Sequence, residues 1–198
     1  MSAGFVTRPR SQAIDGRTWP VSLAAIETAT ISSGVRVADA VAKTAPVTIF
    51  HAQPVSPGKF VVVFGGTVGD VAAAMPRGLD AAQKALTDSL LLAQCHPDVF
   101  AALGGLAAGP AGEALGIVET DAVPSTLLAA DKAAKTAPVR LRTIRLADGL
   151  GGRGFVLFDG TVSDVGASVA AARAAVGARL VDSVVVPRLA EPVRDRLY

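Results

Sequence analysis

An α+β fold, present twice in tandem, is what this sequence predicts, and three observations carry the prediction. The first is a long internal repeat. Ile26–Val47 (IETATISSGVRVADAVAKTAPV) matches Val118–Val139 (VETDAVPSTLLAADKAAKTAPV) 92 positions later, with 11 of 22 residues identical. The identities include Glu27/Glu119, Asp39/Asp131 and the run Lys43–Val47/Lys135–Val139. The match resumes 94 positions apart, Gly66–Val71 against Gly160–Val165 and Asp88-Ser89 against Asp182-Ser183. The step from 92 to 94 places a two-residue insertion between Val139 and Gly160. A repeat of this length is a duplicated domain, because solenoid units recur about every 20–50 residues and at least three times. The second observation is length: 198 residues accommodate two compact domains. The third is the order of elements in each copy, β-α-β-β-α-β-α, which is a ferredoxin-like α/β sandwich with an added terminal helix.

Each element has a local reason. The opening strands are the short apolar runs Val21–Glu27 and Ala114–Glu119. In the second copy Pro124 suits a first helical turn, and Leu127, Leu128, Ala130, Ala134 and Ala137 supply an apolar face at helical spacing. Ala45-Pro46 and Ala137-Pro138 stop the helices, since the residue before proline is pushed out of the α region. Val47–Gln53 and Val139–Leu146, rich in β-branched and alternating residues, then pair through glycine-containing turns with Phe60–Phe64 and Phe155–Phe158. Thr67 and Thr161 are placed to cap the next helices, with Asp70 and Asp164 in the first turn, where the helix dipole favours negative charge. Val165, Val169, Ala172 and Val176 form one stripe. Pro76 falls inside the equivalent first-copy helix and predicts a kink or a shorter helix. Fourth strands are predicted at Leu90–Ala93 and Val184–Pro187, and closing helices at Pro97–Leu103 and Pro192–Leu197. Gly104–Gly112 (GGLAAGPAG) reads as a linker. The predicted organisation is an extension at 1–20, a domain at 21–105, a linker at 106–112 and a second domain at 113–198.

Composition narrows the function. Hydrophobic residues make up 51% and charged residues only 18%, the latter below the roughly 25% of ordinary soluble domains. No apolar run approaches the roughly 18 residues needed to span a bilayer, so the excess apolar surface predicts subunit contact. The start, MSAGFVTRPRSQAIDGRTWP, lacks the apolar segment of a secretory signal. A single cysteine, Cys95, excludes internal disulfides and fits a reducing cytoplasm. A net charge of +2 with no basic cluster among aromatics argues against nucleic acid.

The repeated segments resemble bacterial microcompartment shell proteins of the tandem-domain, trimer-forming class. The resemblance is carried by Ala114–Thr120, Ala129–Lys135, Gly160–Val165 and Val184–Arg188, and in the first copy by Ile26–Thr28, Asp39–Lys43 and Gly66–Val71. It covers all but the extension and the linker. Both copies start with the AIET-type strand, unlike the permuted tandem members, so stacked double layers and large gated pores are not implied. The resemblance implies a homotrimer of six wedge-shaped domains, a pseudohexamer, that tiles with hexameric and pentameric shell proteins and passes small metabolites through a central pore.

In such proteins the hairpin loop between the second and third strands lines the pore. Here that loop is Ser56, Pro57, Gly58 and Lys59 in the first copy, and Asp148, Gly149, Leu150, Gly151, Gly152 and Arg153 in the second. Turn chemistry alone reads both as ordinary surface hairpins. As a pore, small residues and exposed amides would leave room and offer hydrogen bonds to polar solutes. If Lys59, Arg153 and Asp148 all faced the opening, the mouth would be mildly positive and favour anions. Lys43 and Lys135 match the edge lysine of the resemblance, expected to pack across neighbouring oligomers. At helix C-termini they can also hydrogen-bond the last carbonyls. Arg188 matches the edge arginine after the fourth strand; the first copy has Gln94 there.

His51, Cys95 and His96 are the remaining candidates for chemistry. Neighbours in a strand point to opposite faces, so Cys95 and His96 form no dyad. No histidine or carboxylate cluster has metal-ligand spacing, so neither metal nor cofactor is predicted and an enzyme lacks its constellation. The competing reading is a ferredoxin-like tandem-domain protein that binds a small molecule between its domains or regulates through it.

Overall fold

The computed structural model describes residues 11–14, 17–106, 109–147 and 149–197. The predicted extension and linker therefore lie partly outside the described residues, and Asp148 lies there entirely. The strands are β1 Ser11–Ile14, β2 Arg17–Pro20, β3 Ser22–Thr28, β4 Thr48–Val55, β5 Lys59–Gly66, β6 Leu86–Leu92, β7 Ala114–Thr120, β8 Arg140–Arg145, β9 Gly154–Gly160 and β10 Leu180–Pro187. The helices are α1 Ile31–Thr44, α2 Val68–Ala82, α3 Pro97–Leu103, α4 Val123–Thr136, α5 Val162–Val176 and α6 Glu191–Leu197. They build two four-stranded antiparallel sheets, β4-β5-β3-β6 and β8-β9-β7-β10, with the same order in both. The α+β sandwich predicted from the repeat is present twice.

The duplication extends to irregularities. β4 shifts register between Ile49 and His51, and β8 shifts between Leu141 and Thr143, 92 positions on. Thr67 Oγ1 accepts the Asp70 N–H at 3.2 Å, and Thr161 Oγ1 accepts that of Asp164 at 3.2 Å, so both predicted caps form. Three local expectations are corrected. The fourth strands begin four residues earlier than predicted, at Leu86 and Leu180, because each follows directly on a short 3₁₀ turn. Pro76 does not shorten its helix: α2 has 15 residues, as many as α5. Pro76 and Ala72, whose carbonyl loses its donor, both lie on the exposed side, where water replaces the missing bond. Finally, α4 was expected to bury one face. Val123, Thr126, Leu127, Ala129, Ala130, Asp131 and Ala133 are all buried, because its own sheet covers one side and the first copy covers the other.

The central strands β3 and β5 of the first sheet are buried on both faces. Phe60, Val62 and Phe64 of β5 point to the α1–α2 layer with Val37, Val41 and Val71, while Val61 and Val63 point to the opposite face, as strand alternation requires. That opposite face is closed by α3, whose Phe100 stacks on Trp19 at 6.0 Å and lies 5.8 Å from Phe50. The extension thus contributes a short β1–β2 hairpin that ends in a docked tryptophan. α3 also contacts β8 of the second copy, so one apolar cluster runs continuously from the first sheet into the second.

Candidate functional site: hairpin loops and the domain junction

The β4–β5 loop is short because Gly58, at φ +105°, supplies the left-handed step, and its N–H donates to the Val55 carbonyl at 3.0 Å. The longer β8–β9 loop is two successive turns. Leu150 N–H donates to Ala147 O, and Arg153 N–H to Leu150 O, each at 3.2 Å. The two loops belong to different copies, yet they meet. A Cβ added at Gly152 would lie 3.0 Å from the Ser56 carbonyl oxygen and 3.2 Å from Pro57 Cδ. The structure therefore brings Ser56, Pro57 and Lys59 of the first loop beside Gly152 of the second, while Gly58, Gly149 and Gly151 face open space.

Lys59 does not contribute a free positive charge there. Its ammonium is 2.7 Å from the carboxylate of Glu27, whose side chain is fully buried, and it donates to the Asp121 carbonyl at 3.2 Å. Of the two cations expected at the loops, Lys59 has its charge offset by Glu27, while Arg153 is exposed. The other Glu27 oxygen accepts the Val123 N–H at 2.7 Å. Val123 opens α4, so a carboxylate from the first sheet sits at a helix N-terminus of the second copy, where partial positive charge favours it.

Beside Glu27 the junction continues as a polar line. Ser125 Oγ donates to Asp88 Oδ2 at 2.6 Å, and the Arg179 guanidinium donates to the Thr87 carbonyl at 2.5 Å. The buried Asp131 accepts the His96 N–H at 2.8 Å. Lys135 donates to Asp131 at 2.6 Å and to the Gln94 carbonyl at 2.5 Å. Lys135, expected at a contact between oligomers, thus ties the two copies of one chain together. Lys43 pairs with Asp39 at 2.7 Å, and both are largely exposed. Arg188 is exposed at φ +53°, its N–H donating to the Glu113 carbonyl at 3.0 Å. Sequence reasoning assigned no role to Glu27, Asp88 or Asp131. The available signal was that all three acids recur in both copies.

Cys95 is buried at this junction. Burial first, and the nearby Asp131 second, push its thiol pKa well above the ordinary 9.0, while Lys135 pulls it down. A thiol held protonated is a poor nucleophile. His96 caps α3, its Nδ1 accepting the Asp98 N–H at 3.3 Å. Among the described residues no three His, Cys, Asp or Glu side chains gather as a metal set, and no helix is long and apolar enough to cross a membrane.

Comparison with known proteins agrees with the duplicated architecture. The BMC domain family model matches residues 22–95 and again 114–189. A bacterial microcompartment shell protein, PduT of Citrobacter freundii, is 37% identical over 165 residues, which cover 82% of this chain and 90% of that protein. The crystal structure of a microcompartment protein from Desulfitobacterium hafniense superposes with a TM-score of 0.79 at 37% identity, covering 88% of this chain and 98% of the other. The chain belongs to the bacterial microcompartment shell proteins, as a member with two BMC domains in tandem.

Proposed function

We propose that this chain is a homotrimeric tile of a microcompartment shell, six BMC domains closing a pseudohexameric ring around a metabolite pore. The domains are the units 21–105 and 113–198, joined by the linker 106–112. The observation that carries the reading is the meeting of the two hairpin loops at Gly152 and Ser56. Loops that adjoin within one chain continue around a symmetry axis as three copies of each, enclosing an opening. The rim then presents the small residues and amides of Ser56–Gly58 and Gly149–Gly152, with Arg153 as its exposed cation, which suits passage of polar solutes.

The chain acts structurally, without catalysis, in a compartment inside the cytoplasm, beside hexameric and pentameric shell proteins. Tile meets tile along the perimeter that carries Lys43 and Arg188, with Lys135 engaged at the domain junction and reaching that perimeter only by its part-exposed flank. The competing reading, a ligand held between the domains, would use the cavity of about 240 Å³ lined by Trp19, Phe50, His51, Phe100, Leu103 and Leu146. That lining is apolar apart from His51 and the indole N–H, and offers few polar groups to fix a ligand.

Light scattering decides the ring. The expected mass is three times the 20.0 kDa chain, and a monodisperse monomer or dimer refutes the tile. Electron microscopy of overexpressing cells separates the two readings, since sheets, tubes or shells form only from tiles.

A further inference from the structure

One cavity of this molecule is used by neither the hairpin loops nor the polar junction. It measures about 240 Å³ and lies between β4, α3 and the residue that follows β8. Three rings form its wall. Trp19 stacks on Phe100 at 6.0 Å, and Phe50 lies 6.4 Å from Trp19 and 5.8 Å from Phe100. Leu103 and, from the second copy, Leu146 complete the apolar lining. Protein interiors are packed so closely that few voids exceed a water molecule. This one is larger than the roughly 150 Å³ apolar cavity that takes up benzene.

The aromatic wall belongs to the first copy alone. Phe50 sits at the register shift of β4, where a bulge re-aims a side chain. At the matching shift in β8 stands Arg142, which donates to Asp159 at 2.8 Å and to the Gly109 carbonyl at 2.9 Å. Trp19 corresponds to Ala111, and Phe100 to Arg194. The copies have diverged here, to an aromatic wall in one and an ion pair in the other.

The wall also carries an unanswered donor. The Trp19 indole Nε1 is buried and has no hydrogen-bond partner among the described residues. A buried N–H in this state costs free energy comparable to a lost hydrogen bond. A buried water makes about three hydrogen bonds, and only two of the lining side chains, Trp19 and His51, carry polar atoms. Water is therefore a poor occupant.

We propose that this cavity binds a small neutral molecule, mainly apolar, with one acceptor oxygen: a ketone, an aldehyde or an ether. The rings and leucines enclose its apolar body, and the Trp19 N–H donates to its oxygen. The scarcity of polar groups that argues against a general ligand binder selects a ligand of this class. A charged molecule is excluded, because no carboxylate, lysine or arginine lines the cavity to pair with it. The site does not depend on ring closure, so it is independent of the tile reading.

Trp19 is the only tryptophan in the chain, so its indole N–H gives a single nitrogen–proton cross-peak in an isotope-labelled sample of the assembled protein. The probes are acetophenone and isopropylbenzene, which share a shape while only the first carries an acceptor. Acetophenone should move the indole cross-peak saturably. It should also bind about tenfold more tightly than isopropylbenzene, the ratio that one buried hydrogen bond supports. Trp19→Phe should abolish this preference and keep the binding of isopropylbenzene. Leu146→Phe, which fills the cavity, should weaken both probes without lowering the thermal midpoint. Binding of neither probe, or an indole signal unmoved at saturation with acetophenone, overturns the site. Wild-type affinity in folded Leu146→Phe does the same, and equal affinities for the two probes overturn the role of the N–H. None of these failures changes the mass by light scattering, so the tile is judged separately.

Discussion

Glu27 on β3 and Val123 at the start of α4 are 96 residues apart in sequence, and the carboxylate of the first accepts the amide of the second at 2.7 Å. The same carboxylate holds Lys59 at the base of the first hairpin loop. One buried acid therefore joins a strand, a helix N-terminus of the other domain and the cation at the base of a hairpin loop. Its removal leaves Lys59 without its counter-charge and Val123 without an acceptor. Glu27→Ala should cost about 3 kcal/mol, in the range seen when one partner of a buried ion pair is deleted. Glu27→Gln keeps an acceptor for the amide and should cost less. Urea denaturation of both variants checks the order, and equal losses would show that the Val123 bond contributes nothing.

The end of the helix before the fourth strand offers a matched pair. Gln83 adopts φ +51° and its counterpart Gly177 φ +54°. A side chain in this region is strained by roughly 1 kcal/mol or more. Gln83→Gly should stabilise the fold by about 1 kcal/mol, and Gly177→Ala should destabilise it by a similar amount. Thermal melts of the two variants should move in opposite directions.

In the proposed tile, the electrostatics of the opening rest on which loop cation is free. Lys59 is neutralised by Glu27, whereas Arg153 is exposed. In tiles reconstituted in a planar bilayer, Arg153→Glu should shift the reversal potential in a salt gradient toward cation selectivity. Lys59→Met should shift it much less. Equal shifts would place Lys59 in the opening, free of its partner.

Stability should fall in alkali for a reason local to Cys95. Its folded pKa is raised by burial, so the folded thiol keeps its proton at a pH where the unfolded thiol ionises. The unfolded state then binds fewer protons, and stability decreases as pH rises from about the ordinary thiol value of 9.0 toward the folded one. Below that window the contribution is complete. Denaturation midpoints from pH 7 to 10 should decline more steeply for the wild type than for Cys95→Ala. Parallel curves would show that the thiol is not linked to folding.

Much of this protein is legible one residue at a time. The threonine caps at 67 and 161, the proline stops at 46 and 138 and the apolar strands are local, short-range preferences, and a sequence states those directly. The repeat added the pairing of the copies, because equal sequences fold to equal sheets, down to the register shifts in β4 and β8. What only the tertiary structure decided is how one copy meets the other. No local preference says that α4 is covered on both sides, that Glu27 reaches Val123, or that Lys135 turns to Gln94 instead of solvent. These are contacts between residues 41 to 96 positions apart, set by how two sheets and their helices pack as solids. A charged residue in an apolar strand can be recognised as unusual from sequence; which distant amide or ammonium satisfies it is fixed by that packing alone.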